Sequence, residues 1–168
     1  KERIDRLKNF GFENETTVID LGINGKMSEL NSAVGLLQLK QIDSLIEKRK
    51  KVYNIYIELL KDTEGIKCVN FDLDIRSNYA YFPILVQNNY SITRDQLYDK
   101  LKRKSIYTRR YFYPLISNYD MYTGLKSSSK KNLPIANSVA EKILCLPIYP
   151  SLEMDDQMRI INIINCYK

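Results

Sequence analysis

A long helical stretch near the start of the chain is the feature that most constrains its fold. Between Ser28 and about Leu60 there is no proline and only one glycine, Gly35. Ser28 suits the N-cap position, because its hydroxyl can accept a hydrogen bond from a first-turn amide. Apolar residues recur at the spacing of one helical face: Leu39, Ile42, Ile46, Tyr53, Ile57 and Leu60. A single helix of this length would extend about 50 Å, so we expect it to link two domains or two subunits.

Patterns typical of strands and further helices surround this stretch. Residues 66–69 and 79–86 predict strands, and Pro83 indicates an edge position or a bulge because it cannot donate to a ladder. The β-branched and aromatic residues 106–113 favour a third strand. We expect an α/β fold, an α+β layer with a few-stranded, mostly antiparallel sheet covered by helices.

Helix-start signals define the remaining helices. A first short helix is expected within residues 2–10. Thr93 and Gln96 form a capping-box pair, and Pro134 suits the first turn of a later helix. A closing helix is predicted over 155–166, with three apolar residues facing inward: Met158, Ile161 and Ile164.

Composition excludes several classes of protein. The 168 residues include no histidine, so Ser-His and Cys-His nucleophile pairs, imidazole bases and the usual zinc sites are not expected. The three cysteines, Cys68, Cys145 and Cys166, form no C-x-x-C motif and are expected to be reduced core thiols of a cytoplasmic protein. No apolar run approaches the ~20 residues of a membrane helix, so no membrane partner is expected.

Four ordered blocks resemble one enzyme family. Residues 22–35, Gly-Ile-Asn-Gly-Lys-Met-Ser-Glu-Leu-Asn-Ser-Ala-Val-Gly, resemble its block G-x-N-x-R-M-S-E-L-Q-A-A-x-G. Residues 6–12 resemble R-L-L-R-N-F-G, 109–115 resemble R-R-Y-F-Y-P-L, and 143–150 resemble V-L-S-L-P-L-Y-P. The family is that of the DegT/DnrJ/StrS aminotransferases, fold-type-I enzymes that use pyridoxal 5'-phosphate (PLP) to place an amino group on a nucleotide-linked keto-sugar.

This resemblance implies that the chain is the C-terminal part of such an enzyme. Residues 1–27 would be a lead-in helix and loop from the large PLP domain, and 28–168 the small domain, with 28–60 as its long linking helix. The Schiff-base lysine would lie upstream of Lys1, so no catalytic residue is expected in this chain, which alone should be inactive. The complete enzyme would be a cytoplasmic homodimer using glutamate and a nucleotide sugar for deoxyaminosugar and polysaccharide biosynthesis.

The same resemblance assigns the candidate site residues. Asn24 would contact the cofactor phosphate of the partner subunit. Lys26 stands where the family has arginine, and would contact cofactor or substrate without arginine's bidentate fork. Arg110, Tyr111 and Tyr113 would contact substrate, and no metal ligand is expected.

The residues themselves leave other interpretations open. Neighbouring Arg109 and Arg110 would point to opposite faces of a strand, and the tyrosines at 107, 111 and 113 would share a face that is more often core. The acidic pairs Asp72/Asp74 and Asp155/Asp156 are not expected to be catalytic. A non-catalytic oligomerisation or binding domain is the alternative. A nucleic-acid-binding module is disfavoured, because the basic residues, although they exceed the acidic ones by six, are intermixed with them.

Overall fold

A computed structural model of the chain describes residues 1–69 and 76–167. The chain divides into two compact units, Lys1–Asp43 and Ser44–Lys168. The pair Asp72/Asp74 lies outside the described residues. The helices are α1 (Glu2–Leu7), α2 (Glu29–Leu39), α3 (Ile42–Leu60), α4 (Arg94–Arg103), α5 (Pro134–Lys142) and α6 (Met154–Asn165). The strands are β1 (Ile66–Cys68), β2 (Phe82–Val86) and β3 (Ile143–Leu146).

The long helical stretch consists of two helices rather than one. Ser28 caps α2 as predicted, accepting a 3.3 Å hydrogen bond from the amide of Asn31. The helix then ends at Leu39, and the amide of Gln41 donates to the carbonyl of Gln38, three residues back, at 3.0 Å. A hydrogen bond between residues three apart, instead of the four of a regular α-helix, commonly closes a helix end. The expected continuous helix over 28–60 is therefore wrong, and no proline or glycine in the sequence marks the break.

The three strands form one antiparallel sheet in the order β1-β2-β3, which confirms the expected sheet type. Ile66 pairs with Val86, and Phe82 pairs with Leu146. The third strand is β3 and not residues 106–113 as predicted. That segment forms one isolated bridge, between Arg109 and Cys145, and the positive φ of Phe112 (45°) is incompatible with an extended strand.

Pro83 lies in the middle strand and pairs in regular register with Cys145, so its predicted position at an edge or a bulge is wrong. Pro83 pairs with Cys145 of β3, but the N–H and the carbonyl of Cys145 both bond to Arg109. On the β3 side, therefore, no bond requires an N–H from Pro83. On the other side Val69 lies just past the end of β1, and its amide donates to the carbonyl of Pro83 at 3.4 Å. The carbonyl of Val69 accepts instead from the hydroxyl of Tyr53 at 2.8 Å. A side chain thus replaces the ladder bond that proline lacks.

The core lies between one face of the sheet and helices α3, α4 and α6. Sheet residues Phe82, Ile84 and Leu144 pack there with fully buried helix residues: Tyr56, Leu60, Leu97, Leu101, Ile161 and Ile164. The Thr93–Gln96 capping box that opens α4 is confirmed.

Two expectations about buried side chains are wrong in part. Met158 of α6 is 37 % exposed, so it is not a core residue as predicted. All three cysteines are free, but Cys166 is exposed, because it follows α6 at its C-terminal cap. Among the described residues, no helix is both long enough and apolar enough to cross a membrane.

Candidate functional site

The loop that carries Asn24 and Lys26 is held against α1 by close backbone contacts. Gly11 has φ +84°, a conformation that favours glycine. A Cβ placed on Gly22 would lie 2.2 Å from the nitrogen of Gly11 and 2.6 Å from the carbonyl oxygen of Leu7. The amide of Ile23 donates to that same carbonyl at 2.8 Å, and an antiparallel bridge joins Asn9 to Asn24. These contacts fix the path of the loop.

Asn24 and Lys26 present hydrogen-bond donors on this loop. Both residues are exposed. Within the described part of the chain, the side-chain amide of Asn24 has no hydrogen-bond partner. The ammonium of Lys26 donates to Oδ1 of Asn9 at 3.1 Å and lies 5.4 Å from the centre of the Phe10 ring. Lys26 is thus partly held, whereas the Asn24 amide is available to a ligand.

These donors suit a phosphate group. The amide of Asn24 can donate without adding charge, and Lys26 adds one positive charge, so the pair fits the phosphate of a cofactor such as PLP. The chemistry of the donor set is thus compatible with the role that the resemblance implies for both residues.

The segment that contains Arg110, Tyr111 and Tyr113 is an irregular turn and not a strand. The three side chains make different contacts. Arg110 stacks on the ring of Tyr98 at 4.2 Å, and Tyr111 packs edge-on against Tyr81 at 5.0 Å. The centre of the Tyr113 ring lies 4.6 Å from the guanidinium carbon of Arg94.

The predicted aromatic stripe in this segment does not form. Tyr107 is 76 % exposed and Tyr113 is 48 % exposed, so neither belongs to the core. The expectation that Arg109 and Arg110 point to opposite faces of a strand is also wrong, because the segment is not a strand.

A buried arginine links this segment to the rest of its unit. Arg94 is only 3 % exposed and donates to the carbonyls of Ala140 and Ile143 at 3.0 and 3.2 Å, at the C-terminal end of α5. Oδ1 of Asp95 lies 2.9 Å from Nε of Arg94 and 2.9 Å from Nε of Arg110. Neither Nε–H is aligned as a hydrogen bond, so the contacts are ion pairs. One carboxylate therefore bridges two guanidinium groups.

Sequence reasoning missed Arg94, Asp95 and Tyr98. A signal was present for Arg94, because the helix dipole disfavours a cation at the first position of a helix, directly after the N-cap. A cation that remains there needs a compensating partner. The partners of Arg94 come from distant parts of the chain, so the sequence did not identify them.

A cavity of about 750 Å³ lies on the sheet face opposite the core. Sheet residues Pro83, Leu85 and Cys145 form its floor, and Tyr111 lies on its wall. Of the predicted site residues in this unit, Tyr111 lines this cavity, whereas Tyr113 lines a different one beside Arg94 and Asp95. The cavity is mostly apolar, so it suits an apolar or aromatic group better than a charged one.

The known proteins that resemble this chain include two that are named as sugar transaminases. A dTDP-4-amino-4,6-dideoxy-D-glucose transaminase of Escherichia coli is 54 % identical over 164 residues, which are 98 % of this chain and 44 % of that protein. The protein of the same description from Shigella dysenteriae is 43 % identical over 92 % of this chain and 42 % of its own length. The chain thus spans less than half the length of these curated relatives.

A solved structure has the same fold as this chain. The crystal structure of S. venezuelae DesV matches with a TM-score of 0.85 and 27 % identity, over 98 % of this chain and 43 % of that one. The family match itself extends over residues 1–165, nearly the whole chain. The chain belongs to the DegT/DnrJ/EryC1/StrS aminotransferase family.

Proposed function

We propose that the complete protein is a PLP-dependent aminotransferase that moves an amino group from glutamate to a nucleotide-linked keto-deoxysugar. The observation that carries this proposal is the 54 % identity to the E. coli transaminase across 98 % of this chain. The amine in the name of that relative is on carbon 4 of a dideoxyglucose, so the corresponding acceptor is a 4-keto-6-deoxy sugar. Glutamate would leave as 2-oxoglutarate, and its amino group would replace the keto oxygen on carbon 4 of the sugar.

In this proposal the present chain is the C-terminal part of the enzyme. Residues 1–27 lead in from the large domain, and residues 28–168 form the small domain. The lysine that binds PLP belongs to the part of the protein upstream of Lys1. The 168-residue chain alone therefore binds no PLP covalently and has no transaminase activity.

The candidate residues then have separate roles. Asn24 donates to the phosphate of PLP bound by the partner subunit of a homodimer, and Lys26 contributes a positive charge to the same anion or to substrate. Arg110, Tyr111 and Tyr113 contact the nucleotide sugar. PLP, when bound, supplies the electron sink that amino-group transfer requires. The protein residues hold and orient the reactants.

An amino-transfer assay tests this function. The protein from its complete reading frame is incubated with PLP, glutamate and dTDP-4-keto-6-deoxyglucose, and the product is identified by mass spectrometry. We expect a sugar nucleotide in which the keto oxygen is replaced by an amine, together with an equal amount of 2-oxoglutarate. The 168-residue chain under the same conditions is the control and should form neither product. A folded complete protein that forms neither product would contradict the proposal.

A non-catalytic oligomerisation role is the second candidate, and one observation favours it. Helix α2 has no buried residue in its own unit. Its apolar side chains are exposed: Leu30, Val34, Leu36, Leu37 and Leu39. A helix this apolar needs a covering surface. A complete protein that forms a stable dimer but transfers no amino group would favour this candidate over the enzyme.

A further inference from the structure

The guanidinium of Arg110 is oriented by two groups that both come from α4. Asp95 lies at the second position of this helix and contacts Nε of Arg110 at 2.9 Å. Tyr98, almost one turn later, stacks against the same guanidinium at 4.2 Å. Together a carboxylate and a ring fix both the position and the plane of the group.

The remaining donors of Arg110 are available to a ligand. Its side chain is 33 % exposed, and within the described residues its terminal nitrogens have no hydrogen-bond partner. Two guanidinium groups and one carboxylate leave one net positive charge in the cluster of Arg94, Asp95 and Arg110. A planar, oriented guanidinium with free terminal nitrogens is the geometry that binds a phosphate oxygen pair.

Arg94 anchors this arrangement to the interior of the unit. It is nearly fully buried, and its two carbonyl partners lie at the end of α5 and the start of β3. Arg94 also contacts Asp95 at 2.9 Å, so the carboxylate that contacts Arg110 is itself fixed by a buried side chain. The partly exposed Arg110 therefore rests on a rigid support.

We propose that Asp95 is a positioning residue for substrate binding, which acts through Arg110 by orienting its guanidinium toward a phosphate of the nucleotide sugar. This inference rests on the proposed function. Asp95 itself touches no ligand, and its negative charge would repel a phosphate. If Asp95 acts by orienting Arg110, neutralising it should weaken phosphate binding. If its charge dominates, neutralising it should strengthen phosphate binding.

The test is a double-mutant cycle of Asp95→Asn and Arg110→Lys in the complete protein. The dissociation constant for dTDP-4-amino-4,6-dideoxy-D-glucose is measured by isothermal titration calorimetry. Asp95→Asn alone should weaken binding about tenfold, the change that ~1.4 kcal/mol of lost interaction produces. In the Arg110→Lys background it should have almost no further effect, because lysine has no plane to orient. Asp99→Asn, which neutralises another exposed carboxylate of α4, is the control and should leave binding unchanged.

Other outcomes overturn the inference. Tighter binding by Asp95→Asn would show that its charge dominates, and equal effects in both backgrounds would show that it does not act through Arg110. Unchanged binding by Asp95→Asn, in a protein whose wild type transfers the amino group to the sugar nucleotide, would contradict this inference alone. A wild type that neither binds nor aminates the sugar nucleotide would contradict the proposed function as well. The melting temperature of each variant separates lost orientation from lost folding.

Discussion

The hydroxyl of Tyr53 donates to the carbonyl of Val69 at 2.8 Å, at the position where the sheet would otherwise take a bond from residue 83. Because residue 83 is proline, this carbonyl depends on a helix side chain. Replacing Tyr53 with Phe keeps the ring contacts with Tyr79 and Phe82 but removes the donor. We expect the free energy of unfolding to fall by about 1–2 kcal/mol, measured by urea denaturation.

A second variant shows whether proline causes this dependence. Pro83→Ala restores a backbone N–H that can donate to the carbonyl of Val69. The cost of Tyr53→Phe should therefore be smaller in the Pro83→Ala background than in the wild type. An equal cost in both backgrounds would mean that the hydroxyl and the proline are not coupled.

The contact of Tyr53 with Val69 also illustrates what the sequence could and could not predict. Local signals were sufficient for the Ser28 and Thr93 caps, which the structure confirms. Pro83 was misplaced because its compensation comes from a residue 30 positions away. The segment 106–113 has strand composition, yet β3 takes the place beside β2, so tertiary pairing overrides local propensity there. For the same reason the contacts between Arg94 and α5 could not be foreseen.

Replacing Gly22 or Gly35 with alanine should have different effects on the folded state. Gly22→Ala would place a Cβ 2.2 Å from the backbone nitrogen of Gly11, a distance that forces the loop away from α1. Gly35→Ala meets no atom within 4 Å and removes a glycine from the interior of α2. We expect Gly35→Ala to be neutral or to stabilise by up to about 1 kcal/mol, whereas Gly22→Ala should increase amide hydrogen exchange in residues 7–25. Similar exchange in the two variants would argue against tight packing of this loop.

The three thiols should differ in reactivity. Cys166 is exposed, whereas burial raises the pKa of Cys68 and of Cys145 from 9.0 to about 11. At pH 8 we expect a maleimide reagent to modify Cys166 first, as mass spectrometry of peptides can show. Cys166→Ser should remove the rapid phase. Rapid modification of Cys145 in the folded protein would contradict its buried position in β3.

The raised pKa values also predict how stability depends on pH. A thiol whose pKa is higher in the folded state binds its proton more tightly there than in the unfolded chain. The stability that the protonated Cys68 and Cys145 thiols give the folded state is fully present below about pH 9. It is lost as the pH rises toward about 11. Urea denaturation at pH 8, 9.5 and 10.5 should show a progressive decrease in the free energy of unfolding. Replacing Cys68 and Cys145 with alanine should reduce this decrease, and an unchanged slope would assign it to other groups.

Asn24 should affect the retention of PLP in the complete protein. Loss of one hydrogen bond to a charged phosphate costs about 1.5–3 kcal/mol, so Asn24→Ala should raise the dissociation constant of PLP at least tenfold. Asn31 is another exposed asparagine of the same unit, and Asn31→Ala serves as the matched control. Equal retention in both variants would remove Asn24 from the cofactor site.

The most direct test of the central proposal is an absorbance spectrum of the complete protein with PLP, recorded before and after the addition of glutamate. We predict a visible band of protein-bound cofactor, which glutamate converts to the shorter-wavelength band of pyridoxamine phosphate. The 168-residue chain should show only the spectrum of free PLP. A folded complete protein whose spectrum glutamate does not change would contradict the assignment of transaminase activity.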